Sequence, residues 1–111
     1  MKFTTTKDTL FKALNETNRV IPLRTTLPIL SCVLIKAENQ EITLIATDLE
    51  QTIISKIKGK VLEEGEMAVP NNRFLEIVSA LPNEEIEIQT KEDQEQKQRV
   101  FSSNPTYLHN L

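Results

Sequence analysis

The chain has 111 residues, 39% hydrophobic and 26% charged, with two glycines, no tryptophan and a formal charge of −3. These totals suit one soluble globular domain and exclude low-complexity and collagen-like classes; no apolar run approaches the ~20 residues of a membrane-spanning helix, and no membrane partner is expected. A single cysteine, Cys32, cannot form an internal disulfide, and the opening MKFTTTKD lacks the apolar core of a signal peptide, so a reducing, cytoplasmic setting is expected.

Lys2–Thr6, with Phe3 and Thr5 on one side, predicts a strand. Thr6 is placed to cap a helix from Lys7, with Asp8 in the first turn where negative charge suits the helix dipole. Leu10, Phe11 and Leu14 form its apolar stripe, Lys12, Glu16 and Arg19 share the other face, and Pro22 is expected to close it. Residues 23–28 are a predicted loop. A strand is expected over Ile29–Ala37, with Leu30, Cys32 and Leu34 on one side and Ile29, Val33 and Ile35 on the other, so both faces should be covered. Glu38–Gln40 turns the chain into a second strand, in which Ile42, Leu44 and Ala46 alternate with Thr43, Ile45 and Thr47. Asp48–Glu50 makes a tight junction to a third strand over Thr52–Lys60, whose lysine-bearing side is wet. Leu62–Glu66 reads as an exposed connection, Met67–Val69 as a short strand, and Pro70 as the first turn of a helix carrying Phe74, Val78 and Leu81 at i, i+4, i+7. Leu81-Pro82-Asn83 stops it. Ile86 and Ile88 alternate with Glu85, Glu87 and Gln89 in a further strand, Lys91–Arg99 reads as a solvated hairpin tip, and Val100–Leu111 gives no clear pattern.

A shift of 64 positions sets Met67 on Phe3, Val69 on Thr5, Phe74 on Leu10, Leu75 on Phe11 and Val78 on Leu14. A strand–helix unit is thus used twice. The predicted fold class is α+β: one domain over residues 1–111, two adjacent helices backed by antiparallel sheets, built from a duplicated strand–helix–strands unit.

Five short stretches carry a resemblance: Met1-Lys2-Phe3; Arg24-Thr25-Thr26-Leu27-Pro28-Ile29-Leu30; Ile45-Ala46-Thr47-Asp48-Leu49-Glu50; Val69-Pro70 with Arg73-Phe74; and Leu81-Pro82. The second and third, one hairpin apart, are the most specific. On these the chain resembles the N-terminal domain of the bacterial sliding clamp, the beta subunit of DNA polymerase III, over residues 1–90, with the match fading over 91–111. The resemblance implies a DNA-clamp domain that contributes to a ring encircling duplex DNA and confers processivity on the polymerase. In the family three such domains make a chain and two chains close the ring, so other clamp domains or subunits are implied partners. Polymerase and clamp loader would be reached only through domains that these residues do not supply.

A ring holds DNA by topology, so it needs few phosphate contacts, and those weak. The resemblance assigns DNA contact to Arg24 and Arg73; helical phase alone adds Lys12 and Arg19. A net charge of −3 weighs against nucleic-acid binding, but acidic residues on an outer surface are compatible with a basic inner wall. Each of these four also reads as an ordinary solvated cation, Lys12 as an i, i+4 partner of Glu16. Cys32 reads as a small buried hydrophobe, His109 as a surface residue, and Asp48 with Glu50 as turn chemistry rather than a metal site. No nucleophile–base pair, metal-ligand spacing or phosphate-cradling glycine loop is present, so neither enzymatic activity nor a cofactor is expected. The alternative to a ring component is a shortened clamp-derived interaction module that does not encircle DNA and pairs through its sheet edges.

Overall fold

The computed structural model describes the backbone of residues 1–92, 98–101 and 108–110, and the side chains of residues 1–89. β1 (Lys2–Thr6) runs straight into α1 (Lys7–Thr17). Thr6 stays extended at the junction, and its hydroxyl accepts from the Thr9 N–H at 3.2 Å, satisfying one of the free donors of the first turn. The helix ends at Thr17, before the Pro22 expected to close it. Backbone bonds from Arg19 to Glu16 and from Val20 to Thr17 tighten its end into turns instead.

A short 3-10 helix over Pro28–Ser31 precedes β2 (Cys32–Glu38), where a strand from Ile29 was expected. Pro28 opens it, its missing N–H costing nothing at a helix start. The turn changes the phase of the chain. Leu30 joins Val33, Ile35 and Ala37 in the interior, while Ile29 is exposed and Cys32, Leu34 and Lys36 are half-buried. Only one face of β2 is therefore fully covered, not both. Asn39 and Gln40 take positive φ of 51° and 60° to turn β2 into β3 (Glu41–Thr47). This is the left-handed geometry of a tight hairpin, which asparagine tolerates.

β4 (Thr52–Ile57) ends earlier than the expected Thr52–Lys60 strand. At Gly59 the chain passes so close to β1 that an added Cβ would collide with the Thr4 carbonyl oxygen and stand 2.5 Å from Ile42 Cδ1, so only glycine fits. The next residues are not an exposed connection. β5 (Lys60–Glu63) pairs with β1 and buries Val61, and β6 (Gly65–Pro70) pairs with β2 along its whole length. α2 (Asn71–Ser79) follows with Pro70 at its N-cap, and β7 (Glu85–Glu92), β8 (Gln98–Phe101) and β9 (Leu108–Asn110) complete the chain. β7 and β8 flank the predicted hairpin tip, pairing Glu92 with Gln98; residues 93–97 lie outside the described residues.

The strands form two antiparallel sheets, ordered β5-β1-β7-β8-β9 and β4-β3-β2-β6. Each takes three consecutive strands from one half of the chain and the leading strand of the other half: β2–β4 are joined by β6, and β7–β9 by β1. The repeat therefore extends to strand–helix–three strands, with β5 as the connector. Burial follows it. Leu10 and Phe74 are sealed, as are Leu14 and Val78 and also Thr5 and Val69, while Phe11 and Leu75 are both half-buried. One apolar cluster, including Phe3, Leu10, Leu14, Leu44, Phe74, Val78 and Ile86, draws on both helices and both sheets.

Candidate nucleic-acid interface

The two helices touch, and the C-terminal turn of α1 meets the first turn of α2. Leu10, Ala13, Leu14 and Thr17 line the buried side of α1; Asn71, Phe74 and Val78 line that of α2. At their junction stands a polar chain that the sequence reading missed. Thr17 Oγ1 lies 2.9 Å from Asn71 Oδ1 and 3.0 Å from the Leu14 carbonyl, either of which it can donate to, and Asn71 Nδ2 donates to Asn18 Oδ1 at 3.2 Å. Thr17 and Asn71 are wholly buried. The signal was present: Asn71, Phe74 and Val78 are at i, i+3, i+7, so a polar residue sits on the core stripe and demands a partner.

All four candidate cations are exposed. Lys12 lies opposite Leu10 on α1 and is 74% exposed; it pairs with Asp8 at 3.1 Å rather than with Glu16. Glu16 instead accepts from Ser55 Oγ on β4 at 3.2 Å. Arg19 is exposed, but it stands in the turn beyond the end of α1 and not on the helix face. Arg24 is exposed in the following loop, and Arg73 is exposed in the first turn of α2. Asn72, Arg73, Glu76, Ile77 and Ala80 line an open depression of about 550 Å³ along α2. The Asn18–Asn71 bond ties the segment leading to Arg19 and Arg24 to the turn that carries Arg73.

Several cations are already paired. On the sheets, Lys2, Lys36 and Lys56 pair with Glu87, Glu66 and Glu41 at 3.5, 3.8 and 3.1 Å. Arg19, Arg24 and Arg73 make no ion pair or side-chain hydrogen bond among the described residues. Their guanidinium groups are thus open to an external anion, the form in which arginine binds phosphate.

The remaining polar groups have structural explanations. Asp48 Oδ1 accepts from the N–H groups of Glu50 at 2.9 Å and Gln51 at 2.7 Å, and these bonds hold its carboxyl below the usual range; Leu49 between them takes a φ of 80°. Cys32 is half-buried, and burial pushes its thiol up. His109 lies in β9, its side chain outside the described residues. Among the described residues no three His, Cys, Asp or Glu side chains converge as metal ligands, and no helix is long and apolar enough to cross a membrane.

The sequence profile described as "DNA polymerase III beta subunit, N-terminal domain" matches residues 1–107. The chain belongs to that family. The match runs past Thr90, beyond which the resemblance in the quoted stretches fades. Curated relatives named beta sliding clamp include those of Vibrio harveyi, 39% identical over 88 residues, and Staphylococcus epidermidis, 34% identical over 100 residues. These alignments cover 78% and 83% of this chain, and 60% and 26% of the relatives. Among solved structures, the DNA polymerase III subunit beta of Pseudomonas aeruginosa superposes with a TM-score of 0.84 at 34% identity, and Caulobacter crescentus pol III beta with 0.87 at 28%. Both cover all of this chain and under a third of their own, 29% and 30%. This clamp-family chain thus spans one part of longer relatives.

Proposed function

We propose that this chain is a non-catalytic clamp domain that faces duplex DNA with its helical layer and contributes to a ring around it in cytoplasmic replication. The observation that carries this reading is the junction of α1 and α2, where the Asn18–Asn71 bond joins the segment leading to Arg24 to the turn that carries Arg73, both exposed and without an ion pair among the described residues. Arg24 and Arg73 are the principal phosphate contacts, and Lys12 and Arg19 add weaker ones. Lys12 shares its charge with Asp8, and Arg19 stands off the helix face. Polymerase and clamp loader would act through parts of a full clamp outside these residues.

Such contacts are weak by design, since each must break as the protein slides. Non-specific DNA binding by several phosphate contacts has a Kd of about 10⁻⁴ to 10⁻⁶ M at physiological salt, and this chain alone should lie at or beyond the weak end. The test is a titration of the isotope-labelled chain with a short duplex at low salt, followed by NMR. Perturbed resonances should cluster on α1, α2 and the loop between α1 and β2, vanish with added salt, and be lost in Arg24→Ala/Arg73→Ala. Perturbations confined to the sheets, or a sub-micromolar Kd at physiological salt, would contradict the proposal.

A second reading is an interaction module that pairs through a sheet edge. It is favoured by the edge position of β4, which carries Ile54 at 61% exposure. The mass in solution, measured alone and with a full-length clamp, separates the two: a closed ring of several copies supports the first reading, a complex through one edge the second.

A further inference from the structure

The connection after α1 is longer than the repeated unit requires. From α2 the chain reaches β7 across residues 80–84, whereas from α1 it reaches β2 only after residues 18–31. This longer segment is anchored at both ends. Val20 and Ile21 are buried against Ala46 and Ile53, and Leu30 is buried on the far side. Between the anchors Thr25 Oγ1 accepts from the Leu27 N–H at 3.0 Å. The segment is therefore a held projection rather than a slack strand of surface chain.

Its apolar residues are divided in an unusual way. Val20 and Ile21 are sealed, but Leu23, two residues on, is as exposed as a side chain can be, at 102%. Beside it stands Arg24, exposed and without a partner among the described residues. A lone exposed leucine needs no explanation. A leucine held outward next to an unpaired arginine, on a projection that the repeated unit does without, is matched to a surface that is anionic and apolar at short range. The groove edge of duplex DNA has that character: phosphates flank deoxyribose rings, whose carbon edges are apolar and the same for every base pair.

We propose that Leu23 is a second, non-ionic DNA contact, resting on the sugar edges of the groove while Arg24 meets the adjacent phosphate. This inference rests on the DNA-facing reading above. Such a contact releases no counterion and reads no base, so it adds affinity that neither salt nor sequence alters. An anionic membrane would offer a related chemistry and is one arm of the test.

Leu23→Ala, Leu23→Met and Arg24→Ala are compared with the parent in duplex titrations over a series of low salt concentrations. Leu23 touches no core, so folding is spared, which matched thermal melts verify. Leu23→Ala should weaken binding by about three- to tenfold at every salt concentration, the effect of losing partial burial of a leucine. The slope of log K against log salt should stay at the parental value. Leu23→Met should restore affinity, whereas Arg24→Ala should weaken binding and flatten the slope by about one. Parental affinity in Leu23→Ala, with Arg24→Ala still impaired, overturns the leucine contact and leaves the DNA reading intact. Loss of helix-side perturbation in the parent itself overturns both. Capture by phosphatidylserine vesicles that depends on Leu23, with duplex binding indifferent to it, also overturns the inference.

Discussion

The Thr17–Asn71 contact sets the seam between the helices, and a double-mutant cycle measures what it contributes. Asn71→Ala removes an acceptor 2.9 Å from Thr17 Oγ1 and a donor 3.2 Å from Asn18 Oδ1, both at a wholly buried residue. Thr17 is not orphaned, because the Leu14 carbonyl stands 3.0 Å away. Two net hydrogen bonds at about 0.5–1.5 kcal/mol each give a loss of about 2 kcal/mol. For a domain near this size that lowers Tm by about 10 °C. Thr17→Val keeps the shape but leaves Asn71 Oδ1 with no donor from Thr17, a cost of about 1–3 kcal/mol. Since each variant breaks the same bond, the double variant should be less destabilised than the sum of the two by about 1 kcal/mol. Urea and thermal unfolding followed by circular dichroism supply the four stabilities. A coupling below about 0.3 kcal/mol would refute the claim that this pair fastens α1 to α2.

Gly59→Ala should destabilise by about 3 kcal/mol, because its Cβ meets the Thr4 carbonyl in the backbone of β1, which cannot give way as a side-chain end can; an unchanged urea midpoint would refute the close approach. Asp48 has its carboxyl lowered in the folded state by bonds from Gln51 and Glu50. Its contribution is therefore complete above the ordinary aspartate value of 3.8 and is lost as pH falls through the lower folded value. Asp48→Asn, which keeps an acceptor but cannot titrate, should flatten that acid limb, and NMR titration of Asp48 at or above the ordinary value would contradict it. Cys32, whose thiol burial raises above 9.0, should react with iodoacetamide at pH 8 more slowly than free cysteine; a faster rate would show an activated thiolate.

Much of the fold was legible because period and capping agree locally. Thr6, Leu10 and Leu14 specify α1, the alternation of Ile42, Leu44 and Ala46 specifies β3, and the 64-residue offset pairs positions of matching burial in the two halves except at Phe3 and Met67, of which only Phe3 is sealed. The failures share a cause: contacts distant in sequence. Nothing near Gly59 states that β1 passes over it, so one strand was read across a break between sheets. Val61 and Leu62, adjacent apolar residues between Lys60 and Glu63, give no period, yet Val61 is buried, on a strand that pairs with β1, while Leu62 is exposed. The 3-10 turn at Pro28 left Ile29 exposed and only Leu30 inward, where both were expected to be covered. The arginines of the proposed interface were named from motif and phase, whereas the bond from Ser55 to Glu16 comes from a strand remote in sequence, and Lys12 pairs with Asp8.

The exchange of leading strands has a consequence for autonomy. β1 belongs to the first half of the chain but completes the sheet of the second, and β6 does the reverse. A half-molecule severed near Glu64 would keep its helix but forfeit the strand that flanks β2 or β7, leaving an open hydrogen-bonding edge over an exposed interior. The segment that duplicates is thus too small to stand by itself, and the two copies persist only by each lodging a piece of itself in the other.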